Sequence, residues 1–224
     1  MKQQLWTTCL KTWLFVLLSV VMTNVAAQTF EYPEYEDDTI RICVVHTGVR
    51  PTISDFATAY LNHKKDDNKV FKAVREEWIR HQQKKLPGDS CTTLLVDTKN
   101  GYWRYEHHKP AYKDTVVVEM CYWNCKDGKH KLLAVNGVWK MENDYGYDDF
   151  VGTQFFLYDK TERTMRNIWA EDIGALYEGD GLSIFFLPRK GKDIRVSAAG
   201  GGERWDEVLE WDGFQFSSRA FQEE

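Results

Sequence analysis

The sequence predicts an α+β fold: two N-terminal helices packed on a largely antiparallel, meandering β-sheet that forms a curved sheet, a barrel or a sandwich. Three observations carry this. Apolar residues recur at helical spacing between residues 53 and 79, the period changes to extended alternation from Ser90 onward, and turn residues cut the extended part into successive hairpins. No helical segment lies between those hairpins to carry a parallel crossover, so the strands run antiparallel.

Arg41-Ile42-Cys43-Val44-Val45-His46 is β-branched and apolar and reads as a first strand, ended by Thr47-Gly48. Thr52 followed by Asp55 has capping-box spacing, and Ile53, Phe56, Ala57, Tyr60 and Leu61 make one apolar stripe behind it. A second helix places Val70, Phe71, Val74, Trp78 and Ile79 on one side, and Leu86-Pro87-Gly88-Asp89 stops it. Five hairpins follow. Their strand pairs are 92–97 with 102–107, 115–123 with 130–141, 153–158 with 164–169, 182–187 with 193–198, and 208–211 with 214–216. The last pair flanks Asp212-Gly213, a two-residue hairpin signal. Gly200-Gly201-Gly202 precedes Glu203-Arg204-Trp205-Asp206, which is no phosphate-binding helix start, and reads as a flexible connection.

The N-terminus has the chemistry of an export signal. Lys2 and Lys11 precede the apolar run Leu14 to Met22, no acid occurs before Glu31, and Val25-Ala26-Ala27 offers small residues at a cleavage site, between Ala27 and Gln28. The rival, an uncleaved anchor, fits less well because Thr23, Asn24, Gln28 and Thr29 make the end of the uncharged run polar. The chain then divides into a signal peptide (1–27), an acidic flexible N-terminus (28–39), one globular domain (40–216) and a short tail (217–224). Loss of Lys2 and Lys11 takes the net charge of −5 to −7. That balance argues against nonspecific nucleic-acid binding, which needs clustered Lys and Arg, and against adsorption to anionic lipid.

Four cysteines remain: Cys43, Cys91, Cys121 and Cys125. An even number in an exported chain makes disulfides reasonable. Cys121 and Cys125 would stand about 13 Å apart on a straight strand, beyond bridging distance, so Cys43–Cys91 is the preferred pair. Cys121, Cys125 and His130 lack a fourth ligand in register, and no metal is assigned.

Catalytic signatures are missing. Gly181-Leu182-Ser183-Ile184-Phe185 fails as a nucleophile elbow at its last position, and there is no zinc-protease helix motif, P-loop, dinucleotide fingerprint or EF-hand loop. No cofactor is implied. Glu106-His107-His108 offers a base beside two imidazoles, with His130 a third across the sheet, but adjacent strand residues point to opposite faces and a strand-end surface pair is the simpler account. Asn143 to Asp149 is the most unusual loop; its carboxylates fit no named calcium loop. Its tyrosines Tyr145 and Tyr147 with Asp148, joined by Trp103, Tyr105 and Trp123 on neighbouring strands, make a candidate aromatic face for a sugar or peptide. Core packing is the competing role for those rings.

Lys99-Asn100-Gly101-Tyr102, Glu119 to Asn124, Asp127 to Leu132, Leu187 to Ile194 and Leu209 to Phe214, together with Ala27-Gln28, resemble exported proteins of gut Bacteroidetes type that carry no assigned activity. The resemblance covers most of the chain after the leader. It implies an extracytoplasmic protein (in the periplasm, on the surface or in the medium) and transfers no catalytic residue. The combined expectation is an exported, non-catalytic domain that binds a ligand or scaffolds the cell envelope. Its partner would be carbohydrate or an envelope protein, with no nucleic acid and no membrane after cleavage. Two alternatives stay open: a hydrolase using Asp144, Asp148, Asp149 and Glu119, and an inhibitor or partner-binding protein that presents the 143–149 loop.

Overall fold

The helices form where the stripe and the cap place them. In the structure, a computed structural model that describes residues 39–64, 69–110, 114–141, 144–146, 152–175, 182–200 and 203–220, α1 spans Ile53–His63 and α2 spans Lys69–Gln82. The Asp55 carboxylate accepts hydrogen bonds from both the backbone N–H and the hydroxyl of Thr52, at 2.7 and 2.8 Å, and fixes the start of α1. Before it lies β1 (Arg41–Cys43), shorter than the expected strand because the chain turns away after Val44.

The strands that follow are β2 (Thr92–Asp97), β3 (Tyr102–Lys109), β4 (Asp114–Asn124), β5 (His130–Met141), β6 (Asp144–Gly146), β7 (Thr153–Asp159) and β8 (Thr164–Ile168). Together with β1 they make an eight-stranded antiparallel sheet in the order β1-β8-β7-β5-β4-β3-β2, with β6 paired to β5 outside that path. A short 3₁₀ turn, Glu171–Ile173, follows β8. Then β9 (Leu182–Phe186), β10 (Ile194–Gly200), β11 (Glu203–Trp211) and β12 (Phe216–Ala220) form a second, four-stranded antiparallel meander. All of the described residues belong to one compact unit, Tyr32–Glu224.

The architecture is therefore α+β, with the strands divided between two open sheets rather than one continuous layer. Two cores result. On one face of the large sheet, Phe56 packs on Tyr122 and Tyr158, Tyr60 on Phe71 and Phe156, and Trp78 edge-on to Trp103. On the other face, Trp123, Phe155, Trp211 and Phe216 fill the space beneath the small sheet. A sheet covered on both faces loses the apolar/polar alternation of a half-exposed one, and β4 is buried without a break from Val116 to Cys121.

Two expectations change. The hairpin at Asp212-Gly213 is wider than two residues: Trp211 pairs with Phe216, and the Asp212 carboxylate holds the loop by accepting from the Phe214 and Gln215 N–H groups. The strand after it runs through Ala220, into the segment assigned to a tail. Gly200 of β10 pairs with Glu203 of β11, and Gly201 and Gly202 lie outside the described residues.

Candidate functional site

The sheet's cross-strand register puts Thr92, His107, Val116 and Trp139 in one row on the face that carries the helices. Helix α2 crosses beside that row and leaves a cleft of about 420 Å³ between itself and β2–β3. Val70 and Ala73 of α2 and Val116 of β4 supply its apolar lining. Glu77 and Arg80 come from the middle and end of α2, and Asp89 from the loop that stops it.

Thr92 is the hub of the polar wall. Its hydroxyl donates to Asp89 Oδ1 at 3.0 Å and lies 3.0 Å from His107 Nδ1. Because the one hydroxyl proton goes to the carboxylate, His107 Nδ1 is assigned as the donor in that contact, and Nε2 stands outside the network. Burial alone would raise the Asp89 carboxyl. Hydrogen bonds from Thr92 and from the Cys91 N–H, with His107 close by, outweigh it and hold Asp89 below the ordinary carboxylate value. Burial pushes the Tyr105 phenol up to about 12, against a hydrogen bond with Thr92 that lowers it, so Tyr105 keeps its proton. Glu77, itself buried, accepts the Gly88 N–H at 2.9 Å and pins the loop to the helix.

Those contacts orient groups; they do not relay a proton. In a nucleophilic triad the carboxylate and the nucleophile meet opposite nitrogens of the imidazole. Here Asp89 Oδ2, at 3.7 Å, and Thr92 both face His107 Nδ1. The side chains remaining at the rim are Lys69, Glu76, Arg80 and Lys109, the last with Nζ 4.7 Å from the centre of the Trp139 ring. The arrangement is a small, mixed-charge seat on an apolar floor, suited to holding a polar molecule.

The residues singled out from sequence fare differently. Trp103 is fully buried under Trp78, and Trp123 is 4% exposed, with its Nε1 donating to the Lys192 carbonyl at 2.7 Å. Both rings are core, because each face of the large sheet is covered, and neither presents a surface to a ligand. Tyr105 is also buried, yet its edge lines the cleft. Tyr145 lies in β6, opposite Lys140 of β5, while Tyr147 and Asp148 lie outside the described residues. Ala27 and Gln28 lie outside them as well.

Cys43 and Cys91 are free, which corrects the expected bridge. They sit on β1 and at the start of β2, the two opposite edges of the large sheet. Six strand spacings separate those edges, about 29 Å at roughly 4.8 Å each. Cys121 and Cys125 are buried in the second core, and neither is in a disulfide. His130 stands between Asp127 at 2.5 Å and Asp159 at 3.3 Å, joining two hairpin turns. It lies nine residues along β5 from Trp139, so it does not join His107. His108 faces the other way and pairs with Thr115 at 3.1 Å, as strand alternation requires. Glu119, offered for a hydrolase, is a buried carboxylate that accepts from Tyr102 at 2.6 Å and from Arg104. Both contacts fall on Oε1.

Sequence reasoning named His107 and Tyr105 but missed Glu77, Asp89 and Thr92. The available signal was the Asp89-x-x-Thr92 spacing at a strand start, next to a helix stop. Among the described residues no helix is long and apolar enough to cross a membrane. No protein-family model, curated protein or solved structure matches this chain.

Proposed function

We propose that this chain is an exported, non-catalytic binding domain of the cell envelope and that its ligand seat is the cleft between α2 and β2–β3. The observation that carries the binding reading is the His107–Thr92–Asp89 network, which fixes one imidazole at a small apolar-floored cavity without building a proton relay. A preorganised polar group above an apolar floor is the ordinary form of a small-molecule site. Export rests on the basic, apolar and small-residue order of residues 2–27. The ligand class that suits the mixed rim is a short sugar or peptide fragment bearing both donors and acceptors.

The test is a panel of soluble glycans and envelope peptides screened by tryptophan fluorescence and by thermal shift. A ligand at about 100 times its Kd raises stability by about 2.7 kcal/mol. His107→Ala and Arg80→Ala should each weaken the response while leaving the unliganded fold intact. Silence across the panel, coupled with turnover of any substrate, would overturn the reading. The fate of the leader is checked separately by the N-terminal sequence of the protein recovered from its native host.

A further inference from the structure

Hairpin turns of both sheets gather at one end of the domain. The β2–β3, β4–β5 and β7–β8 turns share an end of the large sheet because its neighbouring strands alternate in direction. The β11–β12 turn joins them through the Lys126 N–H, which donates to the Gly213 carbonyl at 3.0 Å. The β9–β10 turn joins through Arg189, 3.1 Å from Asp97, and through the Lys192 carbonyl, which accepts from Trp123. The loop from β1 to α1 leaves from the same end, where the Val44 N–H donates to the Arg163 carbonyl at 2.8 Å. Residues 44–52, 97–101, 125–129, 159–163, 187–193 and 212–215 together carry nine lysines and arginines against six carboxylates, in a chain of net charge −5. Asp97, Asp127, Asp159 and Asp212 are drawn back into the turns they cap, each accepting backbone N–H groups. Glu162, 3.7 Å from Arg41, and Asp193 are the other two acids. Lys99, Lys126, Lys129, Lys190 and Lys192 are exposed and carry their charge outward on long stems. Val45 and Val49, 80% and 99% exposed, stand in the β1–α1 loop. His46 holds that loop in place, with its ring 2.8 Å from the Gly48 carbonyl and 3.2 Å from the Tyr158 hydroxyl.

We propose that this end of the domain docks on a bilayer bearing anionic lipid phosphates, with the turn lysines at headgroup level and Val45 and Val49 entering the interface. Charge complementarity is local. Screening limits a surface to charges within about 8 Å at physiological salt, so a bilayer meets the turns and not the net charge of the chain. The acidic balance that speaks against adsorption of the whole chain instead orients it, because only the turn end is attracted. The valines choose a bilayer over an acidic polymer. A polymer would need the lysines alone, whereas an interface also rewards apolar side chains held above the charged layer. Shape agrees: the turns of two sheets packed roughly 10 Å apart make a broad face rather than a groove. The cleft beside α2 stays open in this orientation, since Thr92 lies five residues from Asp97, about 16 Å along β2. Docking therefore does not depend on what binds in the cleft.

The experiment sediments the protein recovered from its host with vesicles of phosphatidylcholine alone and of equimolar phosphatidylcholine and phosphatidylglycerol. A retained leader would bind both alike, so the difference between them is what is read. Binding should favour the anionic vesicles and fall steeply as salt shortens the screening length. Lys190→Gln and Lys192→Gln should each lower it about fivefold. Val45→Ser with Val49→Ser should lower it several-fold, and Lys72→Gln, on the exposed side of α2, should leave it unchanged. The urea midpoint checks that each variant keeps its fold. In the unaltered chain, anionic vesicles should shield Lys126, Lys190 and Lys192 from an amine-acetylating reagent and leave Lys72 reactive, a reading that needs no variant. Equal sedimentation with both vesicle types would sink the proposal, as would turn lysines acetylated as fast with lipid as without. Displacement by soluble polyphosphate, with no loss in the valine variant, would overturn it in favour of an acidic polymer. A lipid-independent oligomer that Lys190→Gln abolishes would overturn it in favour of a second copy.

Discussion

Gly174 gives the sharpest test of the two-sheet arrangement. It follows the 3₁₀ turn after β8, at φ +63°, and a Cβ placed on it would lie 2.4 Å from the carbonyl oxygen of Phe216 in β12. Gly174→Ala therefore meets two costs. A left-handed conformation without glycine costs about 1–2 kcal/mol. Relieving the overlap requires a carbon–oxygen separation of roughly 3.3 Å, so β12 must shift by nearly an ångström while Phe216 stays packed on Trp123 and Trp211. Overpacking of that kind costs about 1–3 kcal/mol. The sum is about 2–5 kcal/mol. Gly128→Ala is the control, because its φ is +69° but nothing lies within 4 Å of the added carbon, so only the first cost of about 1–2 kcal/mol applies. Urea unfolding followed by both fluorescence and circular dichroism measures each difference, with coincident curves licensing the two-state analysis. Equal losses in the two variants would mean that the small sheet does not rest against that turn, and the second core as described would be wrong.

Three further outcomes follow from the same packing. Trp103→Ala should cost about 3–5 kcal/mol, and Trp169→Ala, at a residue 60% exposed, should stay within about 0.5 kcal/mol of the parent; reversed magnitudes in urea unfolding would contradict the core assignment. A reductant should leave the urea midpoint unchanged, and Cys43→Ser with Cys91→Ser should be near neutral, because the two thiols lie on opposite sheet edges; a reductant-sensitive midpoint that the double substitution abolishes would show a bridge. Lys131 binds its proton less tightly in the fold, with its value lowered from 10.5 to about 8, so the unfolded chain holds more protons between those limits and stability attributable to this group rises with pH across that window. Lys131→Met should accordingly gain up to about 3 kcal/mol below pH 8 and nothing above pH 10.5, read as the difference between two stability–pH curves.

The parts of this fold that depend on local chemistry were legible. Helix α1 starts at the Thr52–Asp55 box, β2 occupies 92–97 and β5 occupies 130–141, each where spacing and turn residues place it. What was not legible depends on order and layering. Strands β7 and β8 belong to one sheet and β9 and β10 to another, but all four show similar extended patterns, and nothing in a strand's own sequence names its sheet. The switch occurs beyond Ile168, in a stretch with little hydrophobic period. The cysteine pairing failed for the same reason: it needs the insertion of β1 beside β8, a neighbour far away in sequence. Aromatic residues misled because alternation tells faces apart only when one face is wet. With both faces of β4 covered, Trp123 and Val118 are equally dry.

Buried polar groups in this domain divide into two kinds, and the division says where function is to be sought. Asn136, at 1% exposure, donates to the Phe185 carbonyl at 2.7 Å and accepts from Thr153 at 3.1 Å, tying the small sheet to the large one. Glu119 is likewise enclosed by Tyr102 and Arg104. Such groups have their bonds supplied by the fold itself, and replacing one leaves an orphan at a cost of about 1–3 kcal/mol. His107 differs. It is anchored through Nδ1, and its Nε2 stands outside that network. A group that is held in place but not fully used carries a desolvation cost that packing does not explain. That asymmetry, rather than the abundance of tryptophan and tyrosine, is what marks the cleft beside α2 as the place to test for a ligand.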